Sequence, residues 1–143
     1  MKTLMALPVG LLTAAALLAC GRGETPPAST ESPRVEIVAP ADGDSVSLPL
    51  TVRLSATGVE VVPATGTAEA GKGHHHLAIG IDAPADDSPL PGAPMVVHLG
   101  TGTNEYVIDS LAPGSHRIIA IFAAGDHVPM PTVVRDTITV IVR

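Results

Sequence analysis

Imidazoles are the side chains of this sequence best suited to chemistry. Six occur, His74, His75, His76, His98, His116 and His127, all in the second half of the chain. If His74 to Asp82 is a strand, alternation puts His74 and His76 on one face and His75, with Leu77 and Ile79, on the other. Residues at i and i+2 of a strand lie about 7 Å apart, so two such rings can reach one ion. His98 falls on the next predicted strand, which can pair with the first across the loop between them. His127 lies in Gly125-Asp126-His127-Val128-Pro129-Met130 and can fold over the same end. Converging neutral imidazoles suit one Zn or Cu ion. The expected ligands are His74, His76, His98 and His127. Met130 and Met95 would add soft thioether donors and favour Cu(I), and Asp126 would bind the ion or orient a ligand. His116 is a weaker candidate ligand. It and His75 read first as structural residues bonded to backbone carbonyls. The spacing matches no standard zinc signature. Two other uses of the same rings stay open, a polar network at the edge of the core and a patch that titrates near neutral pH.

The second chemical feature is Cys20, the one cysteine of the chain, which leaves no intramolecular disulfide to form. Lys2 supplies a positive start. Leu4 to Leu18 is almost wholly apolar, and Pro8 and Gly10 interrupt it. Leu17-Leu18-Ala19-Cys20 resembles the bacterial lipobox, which implies cleavage before Cys20 and its acylation. Several acyl chains, at about 0.8 kcal/mol per buried methylene, make a stable anchor in membrane lipid. Residues 1–19 are therefore expected to be a lipoprotein signal peptide, and 20–33 a lipidated Cys with a flexible Pro/Ser/Thr/Gly tether. Gly21 follows the Cys where an inner-membrane retention signal has Asp. The expected place is the cell envelope, at the outer membrane facing the periplasm.

Some 110 residues remain to position the histidines, enough for one core that buries roughly 60–70% of its unfolded surface. The chain holds one Phe, one Tyr and no Trp, so Val, Ile, Leu and Ala must fill a thin interior. Short strands are expected at Val35–Val38, Leu50–Ser55, Val59–Val62, His74–Asp82, Val96–Leu99, Glu105–Leu111, His116–Ala123 and Val133–Val142. Turn-forming Gly, Pro and Asp clusters separate them. Leu77, Ile79 and Ile81 would share a face, as would Val134, Ile138, Val140 and Val142. His116–Ala123 is apolar enough to be central and buried on both faces. Ala83–Pro94 reads as a loop with a solvated Asp86-Asp87 tip. The predicted fold is all-β, an immunoglobulin-like antiparallel β-sandwich of seven or eight strands over residues 34–143. A small closed barrel is the alternative.

Four ordered motifs carry a family resemblance. They are Gly73-His74-His75-His76-Leu77 with Ile79 and Ile81-Asp82; Val97-His98-Leu99-Gly100 with Gly102; Leu111-x-Pro113-Gly114-x-His116; and Asp126-His127-Val128-Pro129. Together they resemble the bacterial domain of unknown function 4399 family over about residues 71–142. The resemblance implies exported proteins of unknown activity and histidines that belong to a shared pattern. Met130 stands where the last motif is expected to have another His, which tilts any metal toward copper.

Catalysis finds little support. Gly43-Asp44-Ser45 is similar to a serine-esterase nucleophile block but lacks its strand-to-helix setting. Gly100-Thr101-Gly102 lacks the Lys and helix of a phosphate loop. Glu69 and Glu105 are the only bases proposed for a hydrolytic metal site, and nothing in the sequence fixes their distance from it. The net charge of −6 becomes −7 once Lys2 leaves with the signal, seven Lys and Arg against fourteen Asp and Glu. Such a surface repels phosphate backbones, so no nucleic-acid partner is expected. The expected function is a non-catalytic, lipid-anchored metal-binding module. The alternative is a structural or adaptor lipoprotein that binds another envelope protein, its histidines stiffening the fold.

Overall fold

The computed structural model describes residues 31–94 and 96–143. The expected signal peptide, Cys20, the tether before Glu31, and Met95 lie outside the described residues. Among the described residues nine strands form two sheets. One contains β1 (Arg34–Ala39), β3 (Leu50–Thr57) and β7 (Glu105–Ile108) in the order β1-β3-β7. The other runs β2 (Ser45–Val46), β9 (Asp136–Val142), β8 (Gly114–Ala123), β5 (Lys72–Ile79), β4 (Glu60–Val61), with β6 (Val96–His98) also paired to β5. Set against β5, β8 and β9, the trio β1-β3-β7 reproduces the ABE/CFG partition of immunoglobulin-like sandwiches. The chain crosses between sheets five times, from β1 to β2, β2 to β3, β3 to β4, β6 to β7 and β7 to β8.

Nine strands replace the seven or eight expected, because β2 and β4 hold two residues each. Both are parallel, β2 to β9 and β4 to β5, so the fold is not purely antiparallel. β2 exists because the preceding turn is clamped to β9. The Gly43 amide donates to the Thr139 carbonyl, and the Thr139 amide donates to Asp42. Gly43 has a φ of +82°, open to glycine at little cost. That turn accounts for the Gly43-Asp44-Ser45 sequence without catalysis.

Alternation explains β1 and β3. Val35 and Ile37, and Leu50, Val52 and Leu54, point inward while the intervening residues face solvent. They meet Leu77, Ile118, Ala120, Phe122, Ile138 and Val140 from the second sheet. Phe122, the single Phe, is the largest fully buried side chain of this interior. β5 and the second half of β8 are buried on both faces, as their continuous apolar or uncharged sequence requires. Their outer face forms a separate cluster, Ala78, Val96, Ile119 and Ile121, covered by Ile81 and Leu90.

Ile81 therefore does not share the face of Leu77 and Ile79, as alternation alone predicts. β5 stops at Ile79, and Gly80, with a φ of +69°, turns the chain so that Ile81 joins the outer cluster. Val134 likewise leaves its expected parity. Regular pairing begins only at Asp136, and Val134 is exposed while Val133 is buried. Asp86 is no free loop tip either. Its carboxylate pairs with the Arg135 guanidinium, which also donates to the Pro84 carbonyl. Arg117 holds the start of the same loop through the Ile81 carbonyl and Asp82.

Candidate metal centre

Strand pairing determines where the histidines meet. His74, His75 and His76 are opposite Ala123, Phe122 and Ile121 of β8, and His76 is also opposite His98 of β6. His74 and His76 share the outer face of β5 with Ala78. On the inner face His75 packs edge-on against Phe122, with ring centroids 5.6 Å apart. The cross-strand pairing carries His98 to the His74–His76 face. His127 arrives from the loop between β8 and β9.

Four rings converge there. One ring nitrogen each from His74, His76, His98 and His127 lies within 4.8 Å of the others. His76 Nε2 is 2.9 Å from His74 Nε2, and His127 Nε2 is 3.2 Å from His98 Nε2. A tetrahedral ion with bonds of about 2.0–2.1 Å needs ligand nitrogens about 3.3–3.4 Å apart. The two close pairs lie slightly inside that spacing, and the remaining separations are no longer than 4.8 Å. His74 is fully buried and His76 is 2% exposed, whereas His127 is half-buried and His98 exposed.

Burial also fixes the charge state. Removal from water, reinforced by His98, His127 and His75, lowers His74 to about 4. Burial first, then His74, His98, His127 and His75, lowers His76 to about 3. His98 is lowered by desolvation and then by His127. Near neutral pH these rings are unprotonated donors, as metal ligation requires. His75 is pushed to about 4 by burial alone. Among the described residues neither of its ring nitrogens has a hydrogen-bond partner, nor do the Nδ1 atoms of His74 and His76.

The backbone around the cluster is held by contacts that sequence reading missed. A Cβ at Gly100 would collide with Cε1 and Nε2 of the His98 ring, so only glycine lets that ring lie where it does. A Cβ at Gly125 would strike the Thr67 carbonyl and Thr65 Oγ1. The segment Val62–Thr67, which begins at the end of the strand expected over Val59–Val62, ties the ligand carriers together. Val62 N donates to Gly73 O at 2.7 Å, Ala64 N to Gly100 O at 2.9 Å and Gly66 N to Gly125 O at 2.9 Å. His127 has a φ of +69°, a left-handed conformation uncommon for a residue with a side chain. Its loop is closed by His127 N to Ala124 O and Ala124 N to Val128 O, both 2.9 Å. From outside, Leu90 N donates to His127 O at 3.0 Å, joining the 81–94 loop to the cluster.

The structure does not bring the weaker candidates into this group. Met130 packs against the apolar interior between the sheets. Asp126 accepts a hydrogen bond from the Val128 amide and supports the turn that presents His127. His116 lies seven positions along β8 from Ala123, about 23 Å away in an extended strand. Its Nε2 donates to the Ala112 carbonyl at 2.7 Å, the backbone role read from the sequence. Glu69 and Glu105, the proposed bases, form ion pairs with Lys72 and Arg53. Among the described residues no helix is long and apolar enough to cross a membrane.

Fold and cluster together define an immunoglobulin-like β-sandwich whose outer sheet face carries four juxtaposed imidazoles. The sequence profile described as "Domain of unknown function (DUF4399)" matches residues 52–143, and the chain belongs to that family. The match begins earlier than the 71–142 expected from the motifs and takes in most of β3 and all of β4. No curated protein matches the chain.

Proposed function

We propose that this protein is a non-catalytic metal-binding module of the cell envelope, anchored in lipid through Cys20. Its domain would hold one Cu or Zn ion on His74, His76, His98 and His127. The observation that carries the reading is the approach of four ring nitrogens to within 4.8 Å of one another, two of them on fully or nearly fully buried rings. Burying imidazoles without complete hydrogen bonding costs stability, about 1–3 kcal/mol for each unsatisfied group. A shared ion would offset part of that cost through bonds to the converging nitrogens, which in the two close pairs are Nε2 atoms and not the unpaired Nδ1 atoms. The donor set is entirely nitrogen, which suits Zn(II) and Cu(II) better than the thioether-assisted Cu(I) considered from the sequence.

The test is elemental analysis and equilibrium dialysis of the domain made without an affinity tag. One Zn or Cu per chain is expected, and the His74→Ala, His76→Ala double variant should lose it. Unchanged binding by that variant, with its fold verified by circular dichroism, overturns the assignment. Membrane attachment is tested separately. Cys20→Ser should abolish metabolic labelling with a fatty acid and release the protein from the membrane fraction.

A further inference from the structure

The four rings divide into two unlike halves, and the division is suited to handing a metal on. This inference rests on the metal-binding reading above. His74 and His76 stand side by side on a strand enclosed by β8 on one edge and β6 on the other. With almost no exposed surface, neither ring can swing away without dislodging its neighbours. His98 and His127 form the other half. His98 is exposed and His127 half-buried, so both can rotate toward solvent about their side-chain bonds. Their backbones need not follow, because Ala64, Gly66 and Leu90 amides pin those segments.

We infer that metal is loaded and surrendered through the His98–His127 face by stepwise exchange with an incoming nitrogen donor such as imidazole. In each step one metal–nitrogen bond breaks as one bond to an incoming imidazole forms, first at His98 and His127 and last at the buried His74 and His76. The ion's oxidation state does not change. The His74–His76 pair keeps hold until the last step, so the ion is never free in solution. The net charge of −6 over the whole chain favours the approach of cations over that of anions. Local geometry supports the same polarity. The His98 ring stacks on His76, 21° from parallel with centroids 4.9 Å apart, so its outer side is the side an incoming ligand meets.

Stopped-flow transfer of Zn from the loaded protein to a chromogenic chelator in excess tests this directly. Exchange at an exposed face makes the transfer rate proportional to chelator concentration, so doubling the chelator doubles the rate. A histidine-containing peptide used as competing acceptor should give the same proportionality. The His98→Ala variant should release its ion faster than the wild type at every chelator concentration. A rate that stays flat as chelator is raised means that the ion leaves unaided, and overturns the exchange route while leaving metal binding intact. Failure of Zn to bind in the preceding dialysis overturns both.

Discussion

His76 sits directly opposite His98 in the β5–β6 ladder, and the two rings stack with their centroids 4.9 Å apart. Cross-strand neighbours of this kind are the unit from which a sheet builds a site, because register alone fixes their approach. A slip of one residue would turn His98 to the opposite face of β6 and leave His74 and His76 without it. The register is kept by Leu77 opposite Val97 and Ala78 opposite buried Val96.

A ligand that binds only the folded state raises stability by mass action, about 2.7 kcal/mol at a hundredfold excess over Kd. Zn or Cu(II) is therefore expected to raise the thermal midpoint of the wild-type domain by several degrees. His76→Ala should remove that gain almost entirely, and His98→Ala only in part. Differential scanning fluorimetry with and without metal measures both. Equal gains in wild type and His76→Ala would contradict the ligand assignment.

Gly100→Ala is a test that leaves every imidazole in the sequence. The added methyl group must displace the His98 ring. Metal affinity is expected to fall about tenfold or more, equivalent to about 1.4 kcal/mol. Secondary structure should be retained, since Gly100 lies in the connection after β6. Isothermal titration against the wild type provides the comparison.

Acid should unfold the metal-free domain early. Folded-state values of about 4 for His74 and His75 and about 3 for His76 lie below the ordinary 6.5. The unfolded chain therefore binds more protons between pH 6.5 and 4, and stability falls as pH drops through that window. Each ring contributes on the order of 3 kcal/mol to the loss, against a total of about 5–15 kcal/mol for a small domain. Circular dichroism is expected to report an unfolding midpoint between pH 4 and 6.5. In the variant with all three histidines replaced by apolar residues, that transition should move to lower pH.

His75 offers a test of the opposite kind. Both its ring nitrogens are buried and unpaired against Phe122. Replacing an unsatisfied polar group by an apolar one of similar shape is neutral or stabilising. His75→Leu is expected to leave metal affinity unchanged and to raise stability by about 1–3 kcal/mol in urea denaturation. A marked loss of stability would mean that the imidazole has a partner, such as a bound water.

Much of this architecture was legible in the residues. β3 and β8 follow from alternation and from an unbroken apolar run. Strand parity puts His74 and His76 on one face, whereas the meeting of His98 and His127 with them depends on the β5–β6 pairing and on a loop, which the sequence leaves open. What escaped depends on neighbours far away in sequence. Nothing local in Gly100 or Gly125 reveals the ring or carbonyl pressed against it. Nor does Asp86 announce that Arg135 will reach it. Parity misplaces Ile81 and Val134 because it holds only while a strand continues, and Gly80 and the irregular segment before Asp136 interrupt it. Met130 had the right chemistry for a ligand, but it packs into the interior between the sheets.

Antibody-type sandwiches join their two sheets with a cystine between strands B and F. With Cys20 as its single cysteine, this chain cannot build such a crosslink within itself. An ion gripped by His74 and His127 would bridge positions 53 residues apart on the face of one sheet, and would act as a removable clasp. The domain would then be toughest where metal is plentiful and easiest to degrade where it is scarce, so that its abundance would follow metal supply without any change in its synthesis.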